Sequence, residues 1–266
     1  MEQRLTGKVC LVTGATGIAA AGAKAFAAEG AKVFVVSRRA EGCLALVEEI
    51  IEAGGDAGWH AADLTVEADA KAAASACLEM FGRIDGLYAV AGGSGRRFGD
   101  GPLHEITLDG WSATIDLNGL PAFLMAREVT RAMLGTDRGE AARGSIILVS
   151  SVLSSSPSPE MFATHAYAAI KGAEVSLMKS MAAFYAPAGI RVNVISPGLV
   201  DTPMAARAAT DPEIVAFAKR KQPLAGGLLS PEDIAPLAVL LMSDESRAIT
   251  GQEIAVDGGW TVTDAR

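Results

Sequence analysis

Tyr167 and Lys171 stand four residues apart in the helical stretch Tyr167-Ala168-Ala169-Ile170-Lys171, and the pair Ser150-Ser151 closes an apolar run shortly before it. Residues at i and i+4 share one face of a helix, which brings the Lys171 ammonium near the Tyr167 phenol. A free phenol has a pKa of about 10, and a neighbouring cation favours its anion. Lys171 is therefore expected to lower the Tyr167 pKa and make the phenol a proton donor or acceptor near neutral pH. Reduction of a carbonyl needs that proton at oxygen while hydride reaches carbon, and the Ser151 hydroxyl is suited to hold the oxygen in place. Tyr-x-x-x-Lys alone occurs in many helices by chance; the serine pair and a glycine-rich first turn give it meaning.

That turn follows the first apolar run, Val9 to Thr13, and reads Thr13-Gly14-Ala15-Thr16-Gly17-Ile18-Ala19-Ala20 before an alanine-rich helix that ends at Glu29-Gly30. Glycine lets the chain turn tightly and approach a pyrophosphate, which the N–H groups and dipole of a helix N-terminus stabilise. Gly14, Thr16, Gly17 and Ile18 are the candidate contacts. After the second run, where a carboxylate would pair with the adenosine ribose, stand Ser37, Arg38 and Arg39. A cationic fork there accepts a 2′-phosphate, so NADP(H) is favoured over NAD(H). Asp63 and Leu64 are placed to touch adenine, although an Asp at a strand end is also a common helix N-cap.

The elements that must position these residues alternate. Apolar, β-branched runs occur at Val9 to Thr13, Lys32 to Val36, Gly58 to Ala61, Ile84 to Val90, Ser145 to Ser150, Arg191 to Ile195 and Glu253 to Val256. Ala-, Leu- and Glu-rich stretches at 17–29, 40–53, 66–81, 107–135, 165–186 and 231–242 are long enough to cross between parallel strands as helices. The expectation is an α/β fold of Rossmann type, a doubly wound, seven-stranded parallel sheet flanked by helices. No linker or repeat divides the chain, so 1–266 reads as one dinucleotide-binding and catalytic domain. Residues 201–230, with prolines and weak periodicity, read as short helices in a substrate flap.

With Asn118 in Asp116-Leu117-Asn118, the residues Ser151, Tyr167 and Lys171 resemble the Asn-Ser-Tyr-Lys tetrad of the short-chain dehydrogenase/reductase family. The resemblance covers nearly the whole chain. It extends through Arg191-Val192-Asn193-Val194-Ile195-Ser196-Pro197-Gly198, Asp201-Thr202-Pro203-Met204, Pro231-Glu232-Asp233-Ile234, Thr250-Gly251-Gln252 and Val256-Asp257-Gly258-Gly259. It implies that Pro197, Gly198, Val200 and Thr202 meet the nicotinamide, that Lys171 contacts its ribose, and that Asn118 holds a water in a proton relay. It also implies a homotetramer built on the helices at 107–135 and 165–186 and the C-terminal strand.

Two departures stand out. The family's glycine loop, Thr-Gly-x-x-x-Gly-x-Gly, is one residue shorter here, with alanine at Ala19 or Ala20 for its last glycine. Its Asn-Asn-Ala-Gly reads Ala89-Val90-Ala91-Gly92, which removes side-chain amides that brace the central strands, while Ala91 and Gly92 still permit close cofactor approach.

Composition narrows the partners. The net charge of −8 argues against binding nucleic acid, and the longest apolar runs, such as Leu237 to Met242, fall far short of a membrane span. The N-terminus has no signal-peptide pattern, so cytoplasmic residence is the default. Cys10, Cys43 and Cys77 are too scattered for a zinc site or disulfide framework, and His60, His104 and His165 have no ligand spacing, so no metal is expected. Of the histidines only His165 is near enough to Tyr167 to line a pocket. Met161, Phe162, Met204 and Phe217 are apolar candidates for a substrate pocket, with Arg96 and Arg97 as contacts for an anionic group. Three functions fit: an NADP(H)-dependent ketone reductase or alcohol dehydrogenase acting on a small carbonyl or alcohol substrate, an NAD-linked alcohol dehydrogenase, or a catalytically weak dinucleotide-binding scaffold or sensor. The complete tetrad speaks for the first.

Overall fold

The first strand, β1 (Val9–Thr13), is buried along its whole length, as only a strand covered on both faces can be. Its alternate residues enter two cores. Cys10 and Val12 pack with Val33, Val35, Phe26, Leu46, Ile50 and Val239 on one face of the sheet. Val9 and Leu11 pack with Leu87, Ile146, Met125, Val129 and Met178 on the other. The two-residue side-chain period of a strand thus divides one apolar run between two helical layers.

In a computed structural model, which describes residues 3–136 and 143–264, the chain continues as α1 (Ile18–Ala28), β2 (Lys32–Ser37), α2 (Ala40–Glu52), β3 (Asp56–Ala61), α3 (Glu67–Phe81) and β4 (Gly86–Ala89). There follow α4 (Leu108–Gly135), β5 (Gly144–Val149), α5 (His165–Tyr185), β6 (Ile190–Pro197), the short α6 (Ala206–Thr210) and α7 (Pro212–Lys221), α8 (Ala235–Met242) and β7 (Glu253–Val256). The seven strands lie in the order β3-β2-β1-β4-β5-β6-β7, and every pair is parallel. The chain first winds outward from β1 and then returns to its other side, so the reversal point lies between β1 and β4. This is the expected doubly wound sheet. Strand and helix positions agree with the sequence to within a few residues, the chief exception being 231–242, where a single 3₁₀ turn at Pro231–Asp233 precedes α8. Among the described residues no helix is long and apolar enough to cross a membrane.

Close packing of α1 on the sheet sets the height of the glycine loop. The buried face of α1 carries Ala19, Ala21, Gly22, Ala23 and Phe26, and Phe26 meets Tyr88 of β4 edge to face with ring centroids 5.5 Å apart. A Cβ at Gly22 would run into the Tyr88 ring. The Tyr88 hydroxyl is buried and has no hydrogen-bond partner among the described residues, so the ring is held here by packing. Ala normally stabilises a helix interior by up to about 1 kcal/mol over Gly. Gly22→Ala is expected to do the reverse and destabilise by about 1–3 kcal/mol through overpacking. Tyr88→Phe, which deletes an unpaired polar group, is expected to stabilise by about 1 kcal/mol. Urea denaturation of both variants checks the pair of signs.

Candidate active site

The carboxyl ends of the parallel strands emerge on one edge of the sheet, and two adjoining clefts open there. β1 delivers Gly14 at φ 103° and Gly17 at φ 55°, conformations that suit glycine, and a Cβ at Gly17 would lie 2.8 Å from Thr202 Cγ2. Gly17 caps α1 with no side-chain hydrogen bond, and the first turn holds no acidic residue. The free N–H groups of that turn are an anion site by construction.

The first cleft, of about 660 Å³, is lined by Gly14, Thr16, Ser37, Arg38, Arg39, Asp63 and Leu64, with Ala91 and Gly92 at its inner end. Its size, its helix N-terminus and its arginines fit a nicotinamide dinucleotide. Asp63 faces this cleft but also accepts from Thr65 N at 3.0 Å and Thr65 Oγ1 at 2.7 Å. Those bonds, with Arg38 nearby, hold its carboxyl below the usual range. Although the family's amides are absent at Ala89 and Val90, the Thr13 hydroxyl accepts from the N–H groups of Val90 at 2.9 Å and Ala91 at 3.0 Å and ties β1 to the end of β4.

The second cleft, of about 200 Å³, meets the first at Gly92 and is lined by Ile18, Asn118, Ser151, Tyr167 and Lys171, with Pro197, Gly198, Val200 and Thr202 along the β6 side. Every sequence-predicted site residue except Gly17, which lies in the turn between the two linings and packs against Thr202, thus lines one or other cleft. Ser150 and Ser151 follow β5 directly, and the Ser150 hydroxyl donates to the Lys171 carbonyl at 2.7 Å, which joins the end of β5 to α5. Asn118 is buried in α4. Its amide nitrogen donates to Gly93 O at 3.1 Å and Thr114 O at 2.9 Å, and its oxygen accepts from Gly93 N at 3.0 Å. These bonds fix the backbone at the junction of the clefts. Pro121 inside α4 has no N–H, so the Leu117 carbonyl loses its helical donor one residue before Asn118.

Lys171 is nearly buried. Its ammonium lies 5.8 Å from the centre of the Tyr167 ring and donates to Val149 O at 2.9 Å and to both carboxylate oxygens of Glu174 at 2.9 and 3.0 Å. Burial pushes the Lys171 pKa down, but Glu174 outweighs it and keeps the ammonium charged. The expectation for Tyr167 needs correction. Its pKa is raised, because burial of the phenol and the Glu174 charge together exceed the lowering by Lys171 and the Ser151 hydroxyl. The i,i+4 spacing identified the cation but not the carboxylate at i+3 that offsets it.

Four further residues matter that the motifs did not reveal. Asp100, buried in the β4–α4 connection, accepts from the Thr164 hydroxyl, from Ala166 N at 2.9 Å and from Tyr167 N at 3.1 Å, and so caps α5 at the tyrosine itself. Glu174 is the second. Gln222, at the end of α7, accepts from Leu199 N at 2.6 Å and donates to Leu199 O at 3.0 Å and Gly227 O at 2.7 Å, tying the segment after α7 to the β6 turn. Trp260 forms the floor of the second cleft beside Val152 and Phe162, with Nε1 donating to Ser156 O at 3.2 Å. Each partnership spans a long sequence separation or joins a residue type common on surfaces. The only local signal was Glu174, an acid on the inner face of an amphipathic helix.

Of the apolar candidates, Phe162 and Met204 line the second cleft. Met161 and Phe217 pack behind it, around Trp260. His165 is exposed and outside the lining. The two adjacent arginines separate: Arg96 lines the second cleft and Arg97 the first. No cluster of three or more His, Cys, Asp or Glu gathers among the described residues. A proton donor, a hydroxyl to orient an oxygen and a charged lysine therefore share one cleft that adjoins a dinucleotide-sized one. This arrangement is capable of proton transfer coupled to carbonyl–alcohol interconversion.

The Asp100 cap can be tested apart from any activity. Asp100→Ala leaves a buried threonine hydroxyl and two helix N–H groups without their acceptor, and is expected to destabilise by about 2–3 kcal/mol. Asp100→Asn should recover part of this. Chemical denaturation measures both, and equal stability of all three proteins would remove the capping role.

Residues 12–261 match the family model described as enoyl-(acyl carrier protein) reductase. The chain is 37% identical over 263 residues to the D-threitol dehydrogenase of Mycolicibacterium smegmatis, covering 97% of this chain and 95% of that protein. It is 34% identical over 261 residues to the cis-4-hydroxycyclohexanecarboxylate dehydrogenase of Sinomonas cyclohexanicum, covering 98% and 99%. A short-chain type dehydrogenase/reductase from Mycobacterium marinum superposes with a TM-score of 0.86 at 31% identity, over 98% of each chain. A Beutenbergia cavernae structure, described as an NAD(P)-dependent gluconate 5-dehydrogenase with NADP bound at low occupancy, gives 0.85 at 33% over 98% and 99%. With a family match across nearly its whole length and relatives of this similarity, the chain belongs to the short-chain dehydrogenase/reductase family and is an oxidoreductase of that family.

Proposed function

We propose that the protein interconverts a small alcohol and its carbonyl compound, with NADP(H) as the favoured cofactor and Tyr167, Lys171, Ser151 and Asn118 as the working residues. The observation that carries this reading is the gathering of Ser151, Tyr167 and Lys171 in a cleft that opens at Gly92 onto the dinucleotide-sized one. When bound, the nicotinamide would supply or accept hydride. Tyr167 gives the carbonyl oxygen its proton in reduction and takes it back in oxidation, while the Ser151 hydroxyl orients that oxygen. Lys171 holds the nicotinamide ribose and keeps a positive charge beside the phenol. Asn118 fixes the Gly93 backbone next to both clefts and so supports the proton relay.

The phosphate preference rests on Ser37, Arg38 and Arg39 at the rim of the first cleft, to which Arg97 adds a further cation. NAD(H) is the second reading, because Asp63 interacts electrostatically with Arg38 and offsets part of that charge. The alcohol class is in keeping with the relatives, whose names describe dehydrogenases of a polyol and of a hydroxycyclohexane carboxylate. We take the protein to be one domain and cytoplasmic, in keeping with three buried, unpaired cysteines. We also take it to be a homotetramer, for which the exposed Phe123 and Leu134 of α4 and Phe184 of α5 offer apolar surface.

NADPH is expected to bind at least about tenfold more tightly than NADH, the worth of one charge-assisted contact. Arg38→Ala should bring the two together. Calorimetric titration decides, and equal affinities in the wild-type protein would remove the role given to Arg38.

Tyr167→Phe keeps the ring and deletes the proton, so turnover of ketones should fall by about 10²–10⁴-fold with little change in dinucleotide affinity. Glu174→Gln removes the negative charge that helps raise the Tyr167 pKa. Oxidation needs the phenolate and so rises with pH through that pKa; with the Gln oxygen and the Val149 carbonyl still accepting from Lys171, the variant should show the rise at lower pH. Near-normal turnover in Tyr167→Phe would refute the assignment.

A further inference from the structure

The charged side chains that line the second cleft are Arg96, Lys171 and Arg207, and no Asp or Glu is among the lining residues. This is a positive cavity in a chain of net charge −8. Glu174 neutralises Lys171 at 2.9 Å, which leaves the two arginines. They arrive from separate elements. Arg96 sits in the 3₁₀ turn Gly95–Phe98 of the β4–α4 connection, and Arg207 in α6 of the flap. Arg96 Nη2 has only a long contact to Met161 O at 3.4 Å. The carboxylate paired with Arg207, Asp211, lies at 3.9 Å, at the limit of an ion pair, with both side chains open to solvent.

The two guanidiniums line the same cleft and oppose each other: the Arg96 pKa is lowered by burial first and by the Arg207 charge second, with the Asp100 carboxylate acting the other way. Like charges gathered over a mainly apolar cavity, where Leu153, Phe162, Met204 and Trp260 supply the walls, favour an incoming anion, because Asp100 lies outside the lining and is engaged by Thr164, Ala166 and Tyr167. The other obvious basic partner is engaged elsewhere. Arg97 lies over the Phe98 ring at 4.5 Å and lines the first cleft.

We infer that Arg96 and Arg207 form a carboxylate subsite, and that the substrate is a hydroxy acid or its oxo acid with an apolar body. The reacting carbon would lie at Ser151 and Tyr167, and the carboxylate would bridge the β4–α4 connection and the flap. Planar guanidinium groups suit a carboxylate because each donates two parallel N–H bonds. The inference rests on the alcohol–carbonyl reading and adds the substrate class to it. It also gives the flap a task, since an anion held by both arginines joins α6 to the opposite wall of the cleft.

The test uses the full-length enzyme with NADPH or NADH, whichever it binds more tightly. Levulinate, 4-oxocyclohexanecarboxylate and 4-acetylbenzoate are each assayed against their methyl esters by nicotinamide absorbance. The acid should exceed its ester in kcat/KM by about tenfold to a hundredfold for the best-accepted pair, and the ratio should shrink as salt is added. Arg96→Gln and Arg207→Gln should each bring the ratio towards one, while Arg207→Lys, which keeps a charge without the fork, should retain part of it.

Equal or better turnover of the esters, or an acid preference that survives both glutamine substitutions, overturns the subsite and leaves the oxidoreductase reading intact. So does a loss of dinucleotide affinity in either variant, which would assign the arginines to cofactor phosphates. Failure of every acid and ester with the dinucleotide bound brings down both readings.

Discussion

Parallel pairing is the constraint on which the site depends. Because all seven strands run the same way, their carboxyl ends share one edge, and each connection must cross back over the sheet before the next strand begins. Where the winding reverses, between β1 and β4, the helices diverge to opposite faces and cannot close over the edge. The clefts meet there, at Gly92. The same region is held by bonds that belong to no strand ladder: the Thr13 hydroxyl to Val90 and Ala91, and the Asn118 amide to Gly93.

Holding Lys171 away from water is the second demand. A buried ammonium without a partner would lose its proton or destabilise the fold by several kcal/mol. Here it has Glu174 and the Val149 carbonyl, while Ser150 fastens the lysine's own carbonyl to β5. The consequence for Tyr167 is quantitative in kind. The phenol feels a cation whose field is partly cancelled, in surroundings that disfavour its anion, so in the free protein it rests on the protonated side. Only groups brought in beside Lys171, such as ribose hydroxyls, can change that balance without a change in sequence.

Charge is distributed against the overall composition. The chain is acidic as a whole, yet arginines collect at both clefts: Arg38, Arg39 and Arg97 at the first, Arg96 and Arg207 at the second. Low-dielectric walls concentrate the field of such charges at a cleft mouth, which favours the entry of anions even when the net charge repels them. The segment 201–230 carries part of this pattern. The buried Gln222 anchors its far end through three hydrogen bonds, whereas α6, which bears Arg207, is a helix of five residues with mostly exposed side chains.

The sequence by itself determined the alternation of strands and helices, because apolar periodicity is local and survives in any neighbourhood. It also determined the tyrosine–lysine face, since i and i+4 meet in every α-helix, and the glycine turn after β1, where the backbone has few alternatives. Tertiary structure decided what required two distant segments to meet. Asp100 is an ordinary loop acid until α5 is placed over it; Trp260 is a C-terminal aromatic until Val152 and Phe162 pack against it. Arg96 and Arg97 are neighbours in sequence but enter different clefts, because consecutive side chains in a tight turn point in different directions. The Tyr167 pKa moved opposite to expectation for the same reason. A lysine beside a tyrosine is a local fact, whereas burial and the charge that balances the lysine depend on everything packed around them.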